Sequence, residues 1–116
     1  MLTPEEATEL GLMEEERVCA EHGIKFLNFP IPDRSIPNGN DIRVMANSLA
    51  EEVKLGKAIG VHCRAGIGRS SMMAALVLTR LGWSPQAAFQ AISESRGCKV
   101  PDTPEQERWV TRFVHE

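Results

Sequence analysis

The sequence contains no tyrosine, and its aromatic residues stop at four phenylalanines and two tryptophans in 116 residues. Single-stranded nucleic acids are commonly held by stacking bases on aromatic rings, so this scarcity argues against such a surface. An excess of one charge is missing too. Thirteen Lys and Arg stand against sixteen Asp and Glu, a formal net charge of -3, which leaves no electrostatic footprint for nucleic acid or an anionic membrane. No apolar run approaches the ~20 residues that cross a bilayer, and the opening MLTPEEATEL is too polar and acidic for a secretory signal. The expectation is a cytoplasmic protein with neither nucleic acid nor membrane as partner. Cysteine is sparse as well: Cys19, Cys63 and Cys98 are odd in number and lack metal-ligand spacing. Neither a disulfide framework nor a zinc site is suggested, and reduced thiols are the natural state.

What is present is an ordinary globular composition, 42% hydrophobic and 25% charged, over a length that suits one compact domain spanning residues 1–116. Thr3-Pro4-Glu5-Glu6 supplies an N-cap, a proline at the first helical position and a capping-box carboxylate, with Gly11 as a stop. A second helical stretch is predicted from Met13 to the His22-Gly23 stop, followed by a strand over Ile24 to Phe29. Three prolines and a glycine make 30–39 a loop. Ile42, Met45, Ala46, Leu49 and Val53 fall on one helical face ahead of Gly56. Ala58 to Cys63 reads as a short buried strand, and Ser70 to Leu81 as a helix rich in Ala, Met and Leu. Ser84-Pro85 and Thr103-Pro104 open two more helices. The order is mixed helix and strand, with strand-loop-helix at its centre and only two good strands.

That central segment, Val61-His62-Cys63-Arg64-Ala65-Gly66-Ile67-Gly68-Arg69-Ser70-Ser71, carries the chemistry. Successive backbone N–H groups of the loop can curl into a concave nest, and the following helix adds the positive end of its dipole, so an anion fits there. The same field lowers the pKa of a thiol from about 8.5 to as little as ~3.5–7.5, making Cys63 a nucleophilic thiolate at neutral pH. Gly66 and Gly68 permit close backbone approach. Arg69 offers a planar fork for two phosphate oxygens. A lone Cys closing an apolar strand is usually core; Arg69 and the glycines are what turn the reading toward function. Cys19 and Cys98 lack such surroundings.

HCRAGIGRS resembles the His-Cys-(five residues)-Arg-Ser/Thr signature of the cysteine-dependent protein tyrosine phosphatase superfamily, and the small size resembles its dual-specificity branch. FPIPD resembles the loop carrying the general acid, and TPEQ resembles a segment that in several members holds a water-positioning Gln. The three motifs cover residues 26–109. The resemblance implies that Cys63 attacks phosphorus, that Asp33 protonates the leaving oxygen and then activates water, and that Ser70 stabilises the departing thiolate. It implies that Arg64, Ala65, Gly66, Ile67, Gly68 and Arg69 bind the phosphoryl group, with His62 and Gln106 in support. Gln106 has a second reading, since Thr103-x-x-Gln106 is a capping box in its own right. Asp33 likewise could be a turn residue bonding its own backbone. No cofactor and no metal are expected, and phosphate or vanadate should inhibit.

The same resemblance implies a three-layer α/β fold: a central, mostly parallel sheet of four to five strands flanked by helices, with the phosphate-binding loop between a central strand and a helix. The chain opens at a segment that in relatives follows the first strand, so either short strands lie within the loops or an N-terminal strand is lacking. An exposed sheet edge invites pairing, and a homodimer by strand exchange is the corresponding expectation. A loop without lysine leans toward phosphoprotein rather than phosphoinositide substrates. A sulfurtransferase is disfavoured because its loop resembles Cys-(four residues)-Arg. A phosphate-binding pseudo-phosphatase usually shows a lost Cys, Arg or Asp, and all three stand in this sequence.

Overall fold

The computed structural model describes residues 1–32, 34–37 and 39–114. Six helices follow one another: α1 (Pro4–Glu9), α2 (Glu15–Glu21), α3 (Gly39–Lys54), α4 (Arg69–Arg80), α5 (Pro85–Arg96) and α6 (Pro104–Val114). Most begin where local chemistry starts them. Thr3 and Glu6 form a reciprocal capping box ahead of α1, and Ser84 accepts the Ala87 N–H ahead of α5; each satisfies donors that a helix start leaves open. Gly97, at φ +70°, closes α5 in the left-handed conformation that glycine adopts without penalty.

α4 is the central element. It packs against α3, α5 and α6, and Met72, Met73, Ala75 and Leu76 are buried almost completely. α3 contributes Ile42, Ala46 and Ala50, spaced four apart on one face. α5 adds Ala88 and Phe89, and α6 adds Trp109, Val110 and Phe113. The small alanines let the axes approach while the larger side chains interlock. Each fully buried large apolar side chain contributes about 1.5–3 kcal/mol. α1 and α2 bury no residue of their own and are tied to the rest chiefly through charged side chains.

The expected sheet is absent: the described residues form no strand, so the three-layer α/β reading is replaced by a packed set of helices. The two segments read as strands, 24–29 and 58–63, are irregular, and among the described residues no backbone hydrogen bond joins them. A strand exists only when a neighbour completes its ladder, and a short apolar run does not by itself specify one. Ile24 and Leu27 are exposed in the first segment, whereas Val61 in the second packs on the helical core without pairing. The loop 64–68 therefore follows an irregular segment rather than a central strand. With no strand among the described residues, there is also no sheet edge there to support the expected strand exchange. No helix is long and apolar enough to cross a membrane among the described residues.

Candidate active site

Cys63 ends the irregular segment 58–63, the loop 64–68 follows, and Arg69 opens α4. Gly66 turns the loop at φ +73°, directing its N–H to Cys63 Sγ at 3.3 Å. Ser70, in the first turn of α4, shares a hydrogen bond with the same sulfur at 3.4 Å. Burial pushes the Cys63 thiol up, but the side chain and backbone of Ser70, the Gly66 N–H and the charge of Arg69 outweigh it, leaving the thiol below its ordinary value. A lowered pKa favours the thiolate form relative to an ordinary cysteine. Ser71 stitches loop to helix: its hydroxyl donates to the Gly68 carbonyl at 2.9 Å and to that of Ile67.

Arg69 is 1% exposed. Its two terminal nitrogens meet the two carboxylate oxygens of Glu6 at 2.5 and 2.8 Å, and Nη1 also donates to the carbonyls of Ile31 at 2.8 Å and Met1 at 3.3 Å. The hydrogen bond from Arg69 holds the Glu6 carboxyl well below the usual carboxylate range, at about 2, against the opposing effect of burial. Two further acids of the N-terminal helices reach the loop. Glu9 pairs with Arg64 Nη1 at 2.8 Å, and Glu15 lies 2.7 Å from His62 Nε2. Sequence reasoning missed Glu6, Glu9 and Glu15, because nothing in an acidic helical turn reports a partner more than forty residues away.

On the other flank, Arg96 at the end of α5 donates to the Ala65 carbonyl at 3.4 Å. A Cβ at Gly66 would stand 2.8 Å from its Nη2, the end of a flexible side chain that can shift, so it is the positive φ that favours glycine there. Ile67 packs on the core. Gly68 is confined more firmly, by Gln106 and Asp102. Gln106 is buried; its Oε1 accepts the backbone N–H groups of Asp102 and Thr103, and its Nε2 donates to the Ser35 carbonyl. Asp33 lies outside the described residues. Its neighbour Arg34 has φ +60° and pairs with Asp102 at 3.2 Å. The structure thus brings together Cys63, Ser70, the loop 64–68 and Arg69, places Gln106 against Gly68, and turns His62 toward α2. No group of three His, Cys, Asp or Glu side chains able to hold a metal occurs among the described residues.

Comparison with known proteins identifies the family. Residues 5–83 match the family described as Tc-R-P, polymorphic toxin system, DSP-PTPase phosphatase. Cyclin-dependent kinase inhibitor 3 of Rattus norvegicus is 30% identical over 95 residues, 80% of this chain and 45% of that protein. A probable protein tyrosine phosphatase type IVA A of Dictyostelium discoideum is 32% identical over 75 residues, 65% of this chain and 43% of its own length. Protein tyrosine phosphatase type IVA 2 of Mus musculus is 29% identical over 103 residues, covering 79% and 62% respectively. The chain belongs to the cysteine-dependent protein tyrosine phosphatase superfamily, in its dual-specificity-phosphatase-like branch. It spans less than half the length of the first two of these relatives.

Proposed function

We propose that the chain hydrolyses phosphomonoesters through a cysteinyl-phosphate intermediate, acting on phosphotyrosine, and on phosphoserine or phosphothreonine, in proteins. The observation that carries this is the sulfur of Cys63, held by the Gly66 N–H and by Ser70 where the loop meets the start of α4, with its pKa lowered. The thiolate attacks phosphorus in line; the S–P bond forms as the P–O bond to the leaving group breaks, and Asp33 gives its proton to the departing oxygen. Water then attacks the same phosphorus, Asp33 accepts its proton, and the S–P bond breaks to release phosphate. Ser70 donates to the returning thiolate. Backbone N–H groups of residues 64–68 meet the equatorial oxygens, where negative charge gathers in the transition state; Arg69 reaches them only once its fork leaves the two Glu6 oxygens it holds in this structure. Arg64 lines the rim of the loop, and His62, bonded to Glu15, steadies its entry.

Hydrolysis of a chromogenic aryl phosphate between about pH 5 and pH 8 tests this, because the two limbs of the profile report nucleophile and acid. Vanadate-sensitive turnover without added metal, abolished by Cys63→Ser and altered on its basic limb by Asp33→Ala, is the expected result. A folded wild-type protein that binds phosphate without turnover would instead make it a binding domain. Preference for a phosphoinositide over a phosphotyrosine peptide would overturn the substrate assignment alone.

A further inference from the structure

Three carboxylates of α1 and α2 meet three side chains of the segment that carries Cys63. Glu6 takes both terminal nitrogens of Arg69 at 2.5 and 2.8 Å, Glu9 pairs with Arg64 at 2.8 Å, and Glu15 lies 2.7 Å from His62 Nε2. The contacts differ in weight. The side chains of Arg64 and Glu9 are 46% and 64% exposed, and solvent leaves such a pair little strength. Those of Arg69 and Glu6 are 1% and 12% exposed, and their two-pronged contact is the strong form of a charge-assisted bond. Glu6 presents two oxygens to the guanidinium as a phosphoryl group would, and one planar fork cannot serve both at once. Little else holds the helices that deliver these acids. Neither α1, with six residues, nor α2, with seven, buries a side chain, and helices of that length do not persist alone in water.

We infer that α1 and α2 form a self-inhibiting strap over the loop 64–68: the Glu6 carboxylate holds the Arg69 fork that phosphate requires, and substrate enters only as Glu6 gives way. This rests on the phosphatase reading, with Arg69 as the phosphate clamp. Leu2, just ahead of α1, is 4% exposed, so the chain stays docked there while α1 moves off the arginine. A site whose competent form is only part of the population binds with an affinity reduced by that fraction. Loosening Glu6 therefore tightens binding, whereas removing a carboxylate that merely supported the arginine would weaken it.

Inorganic phosphate is the probe, titrated by calorimetry at fixed ionic strength. Glu6→Gln keeps the shape of the side chain and the capping box, which Gln completes as well as Glu, but offers Arg69 one oxygen and no charge. Its phosphate Kd should fall ~10-fold or more below wild type, and KM for an aryl phosphate should fall in the same proportion. Glu9→Gln removes the same charge from an exposed pair on the same helix and should stay within ~2-fold of the wild-type Kd. A Kd for Glu6→Gln equal to or above that of wild type, or a fall matched by Glu9→Gln, overturns the strap. Amide hydrogen exchange reads the same event in the wild-type protein, without a substitution. Saturating phosphate should speed exchange of residues 4–9, since opening exposes their amides, and slowed or unchanged exchange overturns the strap as well. Tightened phosphate binding by a Glu6→Gln protein that hydrolyses no ester would sink the phosphatase reading and leave the strap. Hydrolysis by wild type with the phosphate Kd unmoved in Glu6→Gln would do the reverse, and phosphate binding by neither protein would overturn both.

Discussion

Arg69 and Glu6 meet as a fork against two oxygens in a site where the arginine is almost fully enclosed. Such bidentate geometry suits carboxylate and phosphate equally, so the fork proposed to clamp phosphate is taken up by an internal acid in this structure. The pairing has a pH signature. A carboxyl held at about 2, below its ordinary value near 4.5, contributes stability that is present above its unfolded pKa and lost as pH falls from there toward about 2. Glu6→Gln should therefore melt lower than wild type near neutrality, and thermal melts should show the difference closing through that acid window. At the sulfur, Ser70 is the largest influence lowering the Cys63 pKa against burial. In Ser70→Ala the pH midpoint for alkylation of Cys63, followed by mass spectrometry so that Cys19 and Cys98 are separated, should move up from the wild-type value. An unmoved midpoint would assign the lowering to the backbone N–H groups of Ser70 and Gly66 and to Arg69.

Among the elements, α4 both opens at the site with Arg69 and Ser70 and runs through the core with Met72, Met73, Ala75 and Leu76. Damage to its packing is therefore felt at both ends. Leu76, 0% exposed, should cost about 2–5 kcal/mol when cut to alanine. Ser84→Ala, which removes only the cap on α5, should cost about 1 kcal/mol. Denaturant titrations of the two variants check the order, and equal costs would mean that the α4 core is loosely packed. Helix starts were legible because their signals are local: Thr3-Pro4-Glu5-Glu6, Ser84-Pro85 and Thr103-Pro104 each stand immediately before the helix they cap. The boundaries at α3 and α4 fell within one or two residues of Asp41 and Ser70 through apolar spacing and composition, α4 having no side-chain cap. Ile24 to Phe29 and Ala58 to Cys63 were misread because strand formation depends on a partner, and no local pattern reports one.

Across the whole molecule, burial is uneven. α3 to α6 share the apolar core, whereas α1 and α2 contribute no buried residue and are held by Glu6, Glu9 and Glu15 to Arg69, Arg64 and His62. Amide hydrogen exchange should accordingly be fastest in α2 and slowest in the middle of α4, since exchange protection follows apolar burial. Protection of α2 equal to that of α4 would mean that the acidic ties are as cooperative as the core.

Cys63, Arg69, Gly66, Gly68 and Ser70 were readable from sequence because they lie within eight consecutive residues, and a loop closing on a helix start brings such neighbours together by covalent connection alone. The residues that steady that loop come from elsewhere: Glu6 is 63 positions from Arg69, Glu15 is 47 from His62, and Gln106 reaches back 71 to Ser35. Their roles were decided only by the packing of α1, α2 and α6 around α4, because a hydrogen bond between distant residues depends on the fold that closes the distance and leaves no periodicity or spacing in the chain.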